Sequence, residues 1–250
     1  MRPASLLLAA TASTVILSLP AATRGAEVQV NPVVILLSPA ARSALVTVRN
    51  AGAEPVRFEV QVRAWDQSPA GEMLLSPTED IVAFPPILTL APGEERNLRI
   101  AATTPFGAVE KTYRVFVQEL PPERPDAQPQ VRVLSRIGLP VFLAAARPVA
   151  RAEVDDLAVR GGKVSFRLRN TGTAHVRPSS VELMATGDGG APLLQRSLDA
   201  WYVLAGGERR YEVELPAATC PRVREVSVTV DLGAEPLRAR AAVGADACAR

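Results

Sequence analysis

The side chains able to do chemistry are few, and their spacing is wrong for catalysis. His175 is the only histidine in 250 residues, and it ends the polar run Asn170-Thr171-Gly172-Thr173-Ala174. An imidazole that acts as a base needs positioned partners, so a histidine in such a turn reads as a solvent-facing loop residue. Asp155-Asp156 and Glu94-Glu95 are adjacent pairs. Neighbours on a strand point to opposite faces, so these acids suit turns rather than paired acid–base work. Gly161-Gly162-Lys163 lacks the rest of a phosphate loop and reads as a hairpin turn. There is no Gly-x-Ser-x-Gly elbow. The residues define no catalytic set, and the chain is read as a non-enzyme.

Cys220 and Cys248 are the only cysteines. Without neighbouring histidines they cannot complete a zinc shell. In an exported protein an even pair is more readily a disulfide than a metal site, two free thiols being the alternative. Export is indicated by the leader: Arg2, an apolar run from Leu6 to Leu19, and small residues at Ala21, Ala22, Gly25 and Ala26. This reads as a secretory signal peptide over residues 1–26, too short in its apolar run to span a bilayer. Basic and acidic residues nearly balance, 28 against 26, and the arginines lack aromatic interleaving, so nucleic acid is not an expected partner.

The elements that must carry any function are strands. The 22 prolines argue against long helices. Ile81-Val82-Ala83-Phe84-Pro85-Pro86-Ile87-Leu88, Leu90-Ala91-Pro92-Gly93-Glu94 and Glu119-Leu120-Pro121-Pro122 are short β-type runs closed by turn residues. From Tyr113 to Val117 the residues alternate, with Tyr113, Val115 and Val117 on one face and Arg114 and Phe116 on the other. Pro32 interrupts the first run, which suits an edge strand or a kink that lets the chain switch sheets.

A weak repeat divides the chain. Val46-Thr47-Val48-Arg49-Asn50-Ala51-Gly52 returns as Phe166-Arg167-Leu168-Arg169-Asn170-Thr171-Gly172. Leu90-Ala91-Pro92-Gly93-Glu94 returns as Leu204-Ala205-Gly206-Gly207-Glu208, in the same order. Two β-sandwiches in series follow, over 27–146 and 147–250, giving an all-β chain of two immunoglobulin-like domains. Val131 to Phe142 is a long alternating segment. Val131, Val133, Ile137, Leu139 and Val141 share one face, and Arg132, Leu134 and Arg136 share the other. As a pattern it serves equally as the last core strand of the first sandwich or as an exposed strand edge.

The Pro-Pro, Pro-Gly-Glu and Glu-Leu-Pro-Pro punctuation, the leader and the Leu139-Pro140-Val141-Phe142 ending resemble the periplasmic pilus-assembly chaperones of the PapD-like family, in particular its archaic branch. The resemblance implies two immunoglobulin-like domains in an L or boomerang arrangement, and a periplasmic chaperone for pilus or fimbrial subunits. It implies that such a chaperone lends its last first-domain strand to a subunit lacking one, then delivers the subunit to an outer-membrane usher. Neither a cofactor nor a small-molecule substrate is implied. A dimer in which two copies cap each other's strand is an alternative partner. The competing reading is an exported structural or adhesive sandwich, or a diverged homologue with a non-pilus client. By position, the resemblance assigns Val131 and Val133 to the subunit's groove, with Ile137 and Leu139 nearer the base. The family's cleft Arg falls at Val34 and its cleft Lys at Gly138, so both are replaced here. Arg136, two residues before Gly138 on the same face, is the candidate carboxylate anchor. Glu110 matches a family acid that orients the two domains, while its basic partner falls at Phe142.

Overall fold

The computed structural model describes residues 27–122, 133–233 and 235–249; the leader and Val131 lie outside these. The chain is all-β, and no α-helix is found among the described residues. Ten strands build the first sandwich: β1 (Val28–Asn31), β2 (Ile35–Leu37), β3 (Ser43–Asn50), β4 (Val56–Gln67), β5 (Met73–Ser76), β6 (Ile81–Phe84), β7 (Ile87–Leu90), β8 (Glu95–Ala102), β9 (Lys111–Glu119) and β10 (Arg136–Leu143). Seven build the second: β11 (Ala152–Arg160), β12 (Lys163–Asn170), β13 (Ser180–Thr186), β14 (Pro192–Leu198), β15 (Glu208–Glu214), β16 (Glu225–Asp231) and β17 (Leu237–Ala242).

One sheet of the first sandwich runs β1-β3-β8-β6, and the other runs β2-β10-β9-β4-β5 with β7 also paired to β4. The chain leaves one sheet at Asn31 and enters the other at Ile35, around Pro32, whose missing N–H prevents it from continuing a ladder. Alternation sets the core: Tyr113, Val115 and Val117 of β9 and Leu139, Val141 and Leu143 of β10 are buried against Val46, Val48, Leu98 and Ile100 of the facing sheet. The second sandwich packs β11-β12-β15 against β14-β13-β16-β17, with Phe166, Leu168, Leu183, Val228 and Val230 at its centre.

The sequence repeat is a repeat of one hydrogen-bonded clasp. Asn50 Nδ2 donates to the carbonyls of Glu54 (2.7 Å) and Leu90 (3.2 Å), while the Gly52 N–H donates to its Oδ1 (3.0 Å). Asn170 does the same with Ala174 (2.8 Å), Val203 (2.9 Å) and Gly172 (2.8 Å). The Asn50 N–H reaches Glu94 O, and that of Asn170 reaches Gly207 O, so the two repeated motifs meet in each domain. Both asparagines are buried, where their polar groups need these partners. At Gly172 the backbone of Val149 passes so close that a Cβ would lie 2.0 Å from its carbonyl oxygen; only glycine fits.

Candidate functional site on an open strand edge

Strand β10 pairs antiparallel with β9 along its whole length, from Arg136 opposite Gln118 to Leu143 opposite Lys111. Its other edge is covered only at the end: β2 pairs in parallel with Val141 to Leu143. From Arg136 to Pro140 that edge faces no strand among the described residues. An open edge offers unpaired backbone N–H and C=O groups to any incoming strand. The approach to it is apolar. Val133 is 69% exposed, and Leu134, Val33, Val34 and Leu36 are exposed as well. Ser135 is tied to β9 on both sides, its N–H to the Glu119 carboxylate at 3.0 Å and its carbonyl to the Glu119 N–H at 2.8 Å.

The residues singled out in the sequence separate here. Ile137 is half-buried against the first core, and Leu139 is buried within it. Their side chains belong to this chain's own sandwich, which leaves Val133 as the exposed apolar residue of that face. Arg136 is exposed with its guanidinium 4.1 Å from the Phe116 ring centre. Gly138 lies under the same ring: a Cβ there would come 3.0 Å from Phe116 Cε1. A side chain at 138 would require the ring to give way by a few tenths of an ångström. Val34 is an exposed residue just ahead of β2.

Behind the edge, the outward face of β9, β10 and β4 meets the second domain. Trp65, Phe142, Tyr202 and Leu204 form a buried cluster across the junction. Glu110 is buried there. Its Oε1 accepts the His175 backbone N–H at 2.9 Å and lies 2.8 Å from His175 Nδ1, and its own N–H donates to Thr173 O at 2.9 Å. The His175 ring stacks on Phe142 with centroids 3.7 Å apart. His175 is therefore not the solvent-facing loop residue its polar surroundings suggest. It is the domain-bridging partner of Glu110, and Phe142, which stands where the family resemblance implies a basic residue, supplies the surface on which that imidazole rests. Two further bonds join the domains: Gln67 Nε2 to Tyr202 O at 2.9 Å and Arg210 N to Pro69 O at 2.7 Å.

Sequence reasoning missed Arg114, although alternation put it on the outward face. It is buried, 4% exposed, with its guanidinium 4.0 Å from the Trp65 ring centre and 5.7 Å from that of Trp201. Burial holds its pKa below the usual arginine range. Cys220 and Cys248 are joined in a disulfide at the far end of the second domain. Among the described residues, no group of three or more His, Cys, Asp or Glu could hold a metal.

Two sandwiches in tandem, an aromatic junction and a last first-domain strand open on one edge from Arg136 to Pro140 define the fold. Residues 27–148 match the family described as pili and flagellar-assembly chaperone, PapD N-terminal domain, and the first domain belongs to that PapD-like chaperone family. Membership places it among binding proteins, not enzymes. No curated protein matches the sequence. Among solved structures the fold is similar to that of the CsuC–CsuE chaperone–tip adhesion subunit pre-assembly complex from Acinetobacter baumannii, with 19% identity, a TM-score of 0.58, and coverage of 88% of this chain and 100% of that one. It is also similar to a Salmonella enterica SafA pilin–SafB chaperone complex, with 19% identity, a TM-score of 0.57, and coverage of 87% and 98%. The Pseudomonas aeruginosa CupB2 chaperone gives 18% identity, a TM-score of 0.54, and coverage of 86% and 100%. At such identities the likeness is one of fold.

Proposed function

We propose that this chain is a periplasmic chaperone that caps pilus or fimbrial subunits by lending them strand β10, and that it hands them to an outer-membrane usher. In strand addition to pilins, main-chain hydrogen bonds to an open sheet edge give affinity and pockets for alternate side chains give specificity. The observation that carries it is the edge of β10 between Arg136 and Pro140, open on one side and preceded by exposed Val133 and Leu134. A long apolar edge left bare invites aggregation. Arg136 and Pro140 blunt it, while the apolar residues stay available to a partner. A subunit lacking a strand has the complementary defect, an apolar groove with unpaired backbone. Pairing the two satisfies both without a cofactor or nucleotide. The leader over 1–26 would deliver the chain to the compartment where such subunits emerge.

The test is co-expression in a periplasm with a small secreted β-rich subunit encoded beside an usher gene, followed by purification through the subunit. The subunit is expected to be soluble only with the chaperone and to co-purify with it. A subunit that is soluble alone and never co-purifies overturns the reading and favours a structural sandwich.

A further inference from the structure

We propose that Pro140 is a register-determining residue for strand addition: it ends the row of main-chain donors on the open edge of β10 and so fixes where an added strand stops. In an antiparallel ladder, residues alternate between those whose N–H and C=O both face the neighbouring strand and those whose groups both face away. The Glu119 N–H donates to the Ser135 carbonyl at 2.8 Å, so Ser135 faces β9. Ile137 and Leu139, opposite Val117 and Val115, share its parity and face β9 too. Arg136, Gly138 and Pro140 therefore turn their main-chain groups to the open edge. The far end of the strand agrees: Ala144, of the same parity as these three, sends its N–H away from β9 to Leu37 O at 2.9 Å.

Along that edge Arg136 and Gly138 each offer a main-chain donor. Pro140 has no N–H, and from Val141 onwards β2 occupies the edge. The donor row thus ends at Gly138. A proline is tolerated in a sheet where its missing N–H would face away from the ladder, and Pro140 meets that condition opposite Arg114. It takes no bond from this chain's own sheet and withholds one from an incoming strand. Gly138, the last donor, is exposed, and a strand glycine suits the close approach of a second backbone. A partner strand displaced by one residue presents its side chains to the wrong faces. One displaced by two residues toward β2 keeps its faces but brings a carbonyl against the proline ring, where no donor meets it. An acceptor left bare in a desolvated contact weakens binding by a factor on the order of ten. Displacement the other way leaves the Gly138 N–H unused. Register along β10 is thereby set by the main chain, independently of any charged group in the cleft.

The inference rests on the reading that β10 takes an added strand, and the two fail separately. The measurement is amide hydrogen exchange resolved to single residues, on the full chain free and bound. The probes are the subunit of the co-expression test and a blocked peptide, N-acetyl-Val-Thr-Val-Thr-Val-Thr-amide, at millimolar concentration. In the unsubstituted protein either probe is expected to slow exchange at Arg136 and Gly138 by a factor on the order of ten or more, while Ile35 to Leu37 stay as protected as before. Pro140→Ala supplies the missing donor. The slipped register should then rise about tenfold, and the amide now present at position 140 should become protected in the bound state. Loss of protection at Ile35 to Leu37 on binding overturns the proposal whether or not the variant folds, because the added strand then runs past Pro140 and displaces β2. So do probes that leave Arg136 and Gly138 unprotected. If the subunit co-purifies with parent and folded variant alike, and the amide at position 140 exchanges equally free and bound, strand lending stands and Pro140 is not the stop. If the peptide protects Arg136 and Gly138 and the variant admits the slip while no subunit co-purifies, Pro140 stands and the pilus reading falls.

Discussion

The two domains share one clasp and end their chains in opposite ways. In the second, the segment after β17 folds back: the Gly162 N–H donates to Ala247 O at 2.8 Å, and Cys248 is bonded to Cys220, whose side chain is buried in the domain core. In the first, the last strand keeps an open edge from Arg136 to Pro140 and exposed apolar residues ahead of it. The same architecture is thus closed at the end of the second domain and open at the edge where the proposed function places a partner. On that proposal stability and binding are separated by domain, which makes the contrast open to attack from either side.

The largest effect is expected from breaking the closed end. Cys220→Ser with Cys248→Ser frees a loop closed across 28 residues, for which chain entropy gives roughly 3.5 kcal/mol. Calorimetry should show the second domain melting earlier while binding at β10 is kept in the cold; loss of binding without loss of stability would contradict the division. Next comes the shared clasp. Asn170→Ala and Asn50→Ala each strip buried carbonyls of their donor and should cost about 2–3 kcal/mol, each confined to its own domain. At the junction, His175→Ala removes the imidazole beside the buried Glu110 carboxylate and its stack on Phe142. A loss of about 1–2 kcal/mol is expected, read calorimetrically as a wider separation between the melting transitions of the two domains.

Much of this was legible in the residues. Asn50–Gly52 and Asn170–Gly172 betray the repeat because an asparagine clasp is a local device, written within a few positions. Alternation from Tyr113 to Val117 shows which side chains enter the core. It cannot show what lies on the other side of the sheet. That is why Arg114 passed unnoticed and why His175 read as a loop residue: its partners Glu110 and Phe142 stand 65 and 33 positions earlier in the chain, and nothing local encodes the meeting. The close approach of the Phe116 ring to Gly138, 3.0 Å from where a Cβ would lie, is likewise a cross-strand contact that only the fold reveals.

A smaller effect concerns acid. Tyr113 donates its hydroxyl to Asp80 Oδ2 at 2.7 Å, and Lys111 Nζ lies 3.1 Å away. The tyrosine bond first, and the lysine after it, lower the Asp80 pKa. The stabilisation is therefore complete above the unfolded value near ~3.9 and disappears as pH falls through the lower folded one. The Asp80 side chain is 37% exposed, so screening limits the effect to about a few tenths of a kcal/mol. Asp80→Asn should flatten the acid limb of the first domain's stability curve by that amount; an unchanged limb would show the bond contributes nothing.

The smallest change in stability is expected where the largest change in binding should occur. Val133 is 69% exposed and packs against neither core, so Val133→Asp removes no burial and should alter the folding free energy by less than about 0.5 kcal/mol. A carboxylate there cannot enter an apolar groove without losing its hydration, so co-purification of a subunit should fail. Unchanged Tm with lost capture is what an edge maintained for a partner requires. A clear loss of Tm with capture intact would make this stretch part of the sandwich itself, and the first domain would then be as closed as the second.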